Sequence, residues 1–431
     1  MSTAQQHVVI VGGGFAGLHA AKRLGKSGHQ VTLLDKRNFQ LFQPLLYQVA
    51  TGSLPPGDIA IPQRVVLRKY PNVRAIQATA YDLDPAARLL LHEHGELRYD
   101  TLIVATGVKH SYFGKDHWKE FAPGLKTVEH AIEIRRRIFE AFELAEVCED
   151  REKQKELLTF VVVGGGPTGV ELAGAIGELA HKTMVKDFRA IDPRDARVIL
   201  IEGAKDVLPM YAESLRKAAR ASLEKLRVTV ITDTLVDEIG MGFVRTRNET
   251  IRCGTTLWAA GVTASAFGQV LAERIGARLD RGGRVLVEPN CALPGHPEIF
   301  VIGDLARLTD ANGRDVPGLA QGAIQQGQYV ANLLRAREKG RTLKPFAYRD
   351  LGTMAVIGMN HAVGDLRFMK VTGILGWFIW AFVHVVSLIQ AEQRVRVFVQ
   401  WTWKYFTRRE GDRLITGNPT RTSDLRQRRR A

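Results

Sequence analysis

The sequence predicts an α/β chain in which one βαβ unit occurs twice and a helical segment, first apolar and then basic, follows. Three observations predict it. A buried-strand pattern runs straight into a glycine-rich turn over residues 7–17, and the same pattern returns at 159–169. The most apolar stretch of the chain, Val371–Ile389, comes after both, and a surplus of arginine and lysine follows it.

In the first unit the β-branched run Val8 to Val11 reads as a buried parallel strand. It breaks into Gly12-x-Gly14-x-x-Gly17, and the apolar positions Leu18, Ala20, Ala21 and Leu24 continue as a helix. Gly12 permits the tight turn, Gly14 lets the backbone approach a pyrophosphate, and Gly17 allows close helix–strand packing. The helix N-terminus offers its free N–H groups to phosphate charge. A second strand, Gln30–Leu34, ends in Asp35, where an acid takes a ribose hydroxyl. Strand, glycines, helix, strand and terminal acid together predict a Rossmann-like dinucleotide-binding fold.

Composition sets the frame around that unit. A chain of 431 residues suggests two or three domains. Sixty Lys and Arg against 45 Asp and Glu give a net charge of +15, which asks for phosphates, nucleic acid or anionic lipid as partner. Cys148, Cys253 and Cys291 are too far apart for a CxxC pair and odd in number, which argues against a metal site or a disulfide framework. The first apolar run is the first strand of the fold, so no signal peptide is expected.

Further along, Phe39–Gly52 is apolar and aromatic without a clean period, and is expected to pack on something flat. Val73–Ala80 and Leu89–Leu91 read as strands of an added sheet, and Tyr99–Gly107 as a buried strand ending in the small turn Ala105–Thr106–Gly107. Val128 to about Glu156 reads as one charged amphipathic helix.

The opening then repeats. Thr159–Val163 leads into Gly164-x-Gly166-x-x-Gly169, a helix runs from Val170 to Leu179, and the strand Arg197–Ile201 ends in Glu202. Two dinucleotide cradles imply two dinucleotides, and where two redox nucleotides meet the economical chemistry is hydride transfer. A carboxylate at Glu202 accepts bonds from both ribose hydroxyls but repels a 2′-phosphate, so NADH is expected over NADPH. Glu171 sits in the first turn of the second helix, either as a carboxylate suited to the helix dipole or as one facing the junction of the two redox rings. Thr255–Gly261, with Ala260 and Gly261, echoes the earlier Ala–Thr–Gly turn, and Ile299–Asp304 is a strand whose terminal Asp304 can hold the hydroxyls of a flavin's ribityl chain. Gln321 and Gln325 lie one turn apart on the next helix, where neutral amides are either solvated or able to orient a neutral carbonyl compound.

With these motifs in place the sequence resembles the two-dinucleotide-binding-domain flavoproteins, and within them the type II NADH:quinone oxidoreductases. The more specific residues are the loop Phe42–Gly52, the stretch Ala320–Gln321-x-Ala323-x-Gln325, and the run Gly376–Trp377…Trp380…His384…Arg394…Trp401–Arg409. The resemblance implies FAD on Gly12, Gly14, Gly17, Asp35, Lys36, Ala105, Thr106, Gly107, Asp304, Ala320 and Gln321. It implies NADH on Gly164, Gly166, Gly169, Glu171, Glu202, Ala260 and Gly261, with Glu171, Gln321 and Gln325 as catalytic residues. The implied domains are 1–118 with 263–350 for FAD, 119–262 for NADH, and 351–431 for membrane association. The implied place is the cytoplasmic face of a bacterial inner membrane, with quinone as substrate and no proton pumping.

Val371–Ile389 reaches the lower limit for a spanning helix. The following Glu392–Arg409 opposes Val395, Phe398, Trp401 and Tyr405 to Arg394, Lys404 and Arg408, and the chain ends near Arg428–Arg429–Arg430. Attachment to an anionic membrane surface is the expectation. A single span and a homodimer interface are the alternatives. A sulfide:quinone oxidoreductase would need redox cysteines at the flavin, and Cys253 and Cys291 lack that spacing. A flavoprotein that signals or binds nucleic acid is the remaining alternative. It is disfavoured because the basic surplus gathers beside an apolar helix.

Overall fold

The computed structural model describes residues 6–407 and 411–416. Arg408, Arg409 and the terminal arginines 428–430 lie outside the described residues. Two compact units are present: Met1–Leu41, Ala60–His110 and Val262–Leu351 form the first, and Phe42–Ile59, Ser111–Gly261 and Gly352–Ala431 the second.

A six-stranded sheet organises the first unit, in the order Ala292–Leu293, His296–Val301, Thr101–Val104, His7–Val11, Gln30–Asp35, Val73–Gln77. All neighbours are parallel except the edge strand Ala292–Leu293. Val8, Val9 and Ile10 are fully buried, as a central strand covered on both faces must be. Val9, Leu102 and Ile299 pack in one core with Phe267 and Leu271. The helix Phe15–Leu24 lies on the long helix Ala320–Glu338, so close that a Cβ on Gly327 would sit 2.2 Å from the Ala16 carbonyl oxygen.

Val73–Gln77 is the sixth strand of this main sheet and not part of an added one. Asn72 explains the difference: its amide donates to the carbonyls of Leu24, Ser27 and His29 and so starts the strand beside the second one. The added sheet is the antiparallel set Ala80–Asp84, Leu89–His92, Gly95–Arg98.

The second unit repeats the plan on four parallel strands, Val228–Ile231, Arg197–Ile201, Thr159–Val163 and Thr255–Trp258. The expected single helix over 128–156 is two, Val128–Glu146 and Arg151–Leu157. Asp150 makes the break, its carboxylate capping the N–H groups of Glu152 and Lys153.

The same unit holds a three-stranded antiparallel sheet, Thr353–Gly358, His361–Asp365 and Lys370–Thr372, and two helices, Gly373–Ser387 and Ala391–Thr407. The first residues of the apolar stretch go to strand Lys370–Thr372, which leaves a helix of 15 residues. Among the described residues no helix is long and apolar enough to cross a membrane, so the single-span alternative falls. The aromatic loop after Leu41 becomes a short helix, Leu46–Ala50. The basic helix is pinned to it: Trp401 Nε1 donates to Gln48 Oε1 at 2.8 Å, Lys404 Nζ donates to Ser53 Oγ at 3.0 Å, and Arg396 pairs with the buried Asp58 at 3.2 Å. Buried Arg135 binds Asp412 at 2.8 Å and holds the chain beyond that helix.

Candidate active site

The two glycine loops repeat the same geometry at their first and third glycines. Gly12 and Gly164 turn with φ of +101° and +110°, which L side chains rarely adopt. A Cβ on Gly17 would lie 1.8 Å from the Gly12 carbonyl oxygen, and one on Gly169 1.8 Å from that of Gly164. Those four glycines are demanded by the fold itself. Gly14 and Gly166 are not: their backbones are extended, and a Cβ on either would meet no atom of the described residues within 4 Å. Both stand as N-cap residues at helix starts that face open space. Each loop therefore has a bare, N–H-rich helix terminus with room beside it, and this fits a pyrophosphate.

The terminal acids serve the loops directly. Asp35 accepts from the N–H of Gly13 and from that of Arg37 at 2.7 Å, and Glu202 accepts from Gly165 and from Ala204 at 2.7 Å. Burial pushes the Asp35 carboxyl above its ordinary pKa, opposed by those N–H groups and by Arg37 and Lys36. The strand-end turns close each loop from behind. A Cβ on Gly12 would meet the Ala105 oxygen at 2.4 Å, and one on Gly164 the Ala259 oxygen at 2.7 Å. Thr106 Oγ1 is bonded to Ser265 Oγ at 2.6 Å, and Gly107 accepts from the Ser265 N–H. Ala259, missed on the sequence, is the repeat's counterpart of Ala105, and aligning the two units would have found it; Ala260 and Gly261 follow it.

Asp304 lies in the turn after His296–Val301, beside Gly318, and Gly303 carries φ +73°. The Gly303 N–H donates to Gln326 Oε1 at 2.6 Å, which makes Gln326 the brace of this turn. Sequence reasoning passed over it for its neighbour. Gln321 and Gln325 share a face of the helix that starts at Ala320, as their spacing requires, and both bind the segment 349–351. Gln325 forms paired bonds to the backbone of Arg349 at 2.7 and 2.9 Å, and Gln321 Oε1 accepts from the Leu351 N–H at 2.9 Å.

Glu171 lies on the second-loop helix, Pro167–Glu178, where that helix packs against strand Thr353–Gly358. Burial pushes its carboxyl up to about 8, opposed only by a backbone hydrogen bond from Val356. At neutral pH it is an acid that holds its proton. It lines a cavity of about 50 Å³ with Glu178, Tyr47, Gln48, Trp380 and Lys404. His384 lies on the ring of Trp380 at 4.4 Å and its Nδ1–H donates to the Trp380 carbonyl; burial lowers its pKa to about 4, so it is a neutral packing residue. Cys253 and Cys291 are buried, and burial raises both thiols, Cys253 to about 11, so neither offers a thiolate.

Two cradles with terminal acids on parallel sheets define a two-dinucleotide oxidoreductase scaffold. Residues 6–327 match the pyridine nucleotide-disulphide oxidoreductase family, and residues 351–410 match the NDH2 C-terminal domain. The chain is 42% identical over 425 residues to the type II NADH:quinone oxidoreductase Ndh of Mycobacterium tuberculosis, covering 96% of this chain and 90% of that protein. It is 30% identical over 382 residues to the type II NADH:quinone oxidoreductase of Staphylococcus haemolyticus, covering 86% and 92%. The structure of NDH2 from Plasmodium falciparum in complex with NADH shares the fold, with a TM-score of 0.86 at 18% identity over 96% of this chain and 100% of that one. The chain belongs to the type II NADH:quinone oxidoreductases.

Proposed function

We propose that the chain oxidises NADH and reduces a membrane quinone, with FAD in the cradle of Gly12, Gly14, Gly17 and Asp35 and NADH in the cradle of Gly164, Gly166, Gly169 and Glu202. The observation that carries this reading is the pair of open positions at Gly14 and Gly166, which the fold does not need and two dinucleotides do. Bound FAD supplies a hydride acceptor that can hand on an electron pair, and the protein supplies orientation and charge.

Each residue then has a part. The loop N–H groups and helix starts bind the pyrophosphates. Asp35, with exposed Lys36 beside it, takes the FAD ribose, and Asp304 takes the ribityl hydroxyls. The turn at Ala105, Thr106 and Gly107 closes that cradle, as Ala260 and Gly261 close the other. Glu202 accepts from the NADH ribose and repels a 2′-phosphate. Gln321 and Gln325, on the helix that Ala320 starts, fix the segment 349–351 at the quinone end. Glu171 keeps a proton at the redox junction.

Attachment is to an anionic membrane surface, on the cytoplasmic side. Phe378, Phe382, Val395, Phe398, Trp403 and Phe406 are exposed on the two C-terminal helices, an apolar surface that water does not favour. Arg394, Arg396 and Lys404 on the second of these helices favour lipid phosphate over a second copy of this positively charged chain.

The order of the cradles is tested by colour. Gly14→Val should give FAD-free protein, and Gly166→Val should keep the yellow flavin while raising the NADH concentration needed to bleach it. The reverse pattern would invert the assignment.

A further inference from the structure

NADH gives up two electrons and one proton as hydride, whereas a quinone becomes a quinol by taking two electrons and two protons. One proton per turnover therefore comes from water. Glu171 holds a proton in the cavity already described, and a buried acid needs a way to be recharged. Glu178 is seven residues further along the same helix, hence on the same face, and it too lines the cavity.

Glu178 is placed unlike an ordinary surface acid. It is only 7% exposed, and its two oxygens accept the Met359 N–H at 3.3 and 3.2 Å. No arginine or lysine is paired with it at salt-bridge distance among the described residues. The helix changes character directly after it: Leu179–Thr183 is a π-turn, a widening that concentrates at functional positions. On the inner side the ionisable groups at the cavity include Glu171 and Lys404, the latter donating to Ser53. On the outer side stand His361 from strand His361–Asp365, Lys182 from the π-turn and Lys225 from helix Glu213–Lys225, and both lysines and Glu178 act on His361 through space. Burial first, then Lys225 and Lys182, lowers the His361 pKa, so this half-exposed ring is neutral at pH 7 and passes protons without storing charge.

A second observation points to water in this cavity. Trp380 lines the cavity and is 1% exposed, and its indole Nε1–H has no acceptor among the described residues. A buried donor of that kind is satisfied by ordered water, for which about 50 Å³ is room enough.

The geometry points to Glu178 as the relay of a proton-uptake route that runs from solvent at His361, through the Glu178 carboxyl and cavity water, to Glu171. The inference rests on the reading of Glu171 as the acid of the quinone step. In each turnover a Glu178 oxygen takes one proton from the His361 side and gives one to cavity water. No electron moves through it and no other bond changes.

The test uses the full-length, FAD-loaded enzyme. NADH bleaches the flavin anaerobically, and reoxidation by a soluble quinone is then followed together with proton uptake by a pH-indicator dye. Glu178→Gln keeps an acceptor for the Met359 N–H. It should slow reoxidation and dye-detected uptake together by ~10-fold at about pH 8, with a larger solvent deuterium effect. Bleaching by NADH, which takes no proton from water, should be unchanged. Glu178→Asp, a shorter acid, should recover part of the rate. Equal losses in Glu178→Gln and Glu178→Asp would show that packing is at stake, and would overturn the relay. Wild-type uptake and reoxidation in Glu178→Gln, with both slowed in Glu171→Gln, would overturn the relay and leave Glu171 standing. Wild-type behaviour in both variants would overturn the Glu171 reading and the relay with it.

Discussion

The contrast between Gly14 and Gly17 separates what the fold needs from what the ligand needs. At Gly17 an added Cβ sits 1.8 Å from the Gly12 oxygen, where at least 3.0 Å is required, so backbone must move by about 1.2 Å. Such overpacking costs about 1–3 kcal/mol, and Gly17→Ala should lose that stability with or without flavin. At Gly14 the backbone is extended, the position is an N-cap, and nothing lies within 4 Å. Aspartate is a good N-cap and suits the helix dipole, so Gly14→Asp should leave the apoprotein as stable or more stable by ~0.5 kcal/mol. Its carboxylate would nevertheless stand where the pyrophosphate binds. Two unit charges at about 4 Å and an effective dielectric of about 20 repel by ~4 kcal/mol, roughly a thousandfold in Kd. Urea unfolding of both apoproteins and titration with FAD read the two quantities separately. Unimpaired FAD binding by Gly14→Asp would mean that no pyrophosphate lies beside this residue, and an apoprotein as weakened as that of Gly17→Ala would mean that the fold itself needs this glycine.

Three further outcomes follow from the same geometry. Glu202→Gln keeps an acceptor for the Gly165 loop but removes the charge that repels a 2′-phosphate. The ratio of kcat/KM for NADH over NADPH should fall by ~10-fold or more, and an unchanged ratio would remove Glu202 from cofactor choice. Glu171 has its carboxyl at about 8, so quinone reduction should decline as pH rises through that value, and Glu171→Gln should erase the step. Because folding raises this pKa from 4.5, the native state holds the extra proton and loses stability as pH rises between 4.5 and about 8; the Gln variant should flatten that slope in urea unfolding. Phe382 and Trp403 are 69% and 63% exposed, so Phe382→Asp with Trp403→Asp should release the protein from anionic vesicles without lowering its stability, where high salt alone releases it incompletely. Retention of that double variant in co-sedimentation would move the attachment elsewhere.

The chemistry of the cradles was legible because it is local. A strand, a turn that needs positive φ and a helix occupy consecutive residues, so Gly12, Gly17, Gly164 and Gly169 announce themselves, and the repeat announces the second unit. Long-range pairing was less visible. Val73–Gln77 joins the main sheet through Asn72 and three carbonyls more than forty residues away. The role of Gln326 was hidden behind Gln325, since both are amides on one helix and only the turn at Gly303 distinguishes them. The apolar helix is shorter than the apolar stretch because Val371 and Thr372 belong to an edge strand that runs directly into the helix at Gly373. Glu178 had a signal, seven residues from Glu171, but its burial depends on the strand Thr353–Gly358, which the sequence does not place.

Anaerobic mixing reads both half-reactions on one flavin. FAD-loaded protein given one equivalent of NADH should bleach completely, and added quinone should restore the yellow colour while forming quinol in equal amount to the NADH consumed. A flavin that NADH leaves oxidised would exclude NADH as its donor, and a reduced flavin that quinone does not reoxidise would exclude quinone as its acceptor.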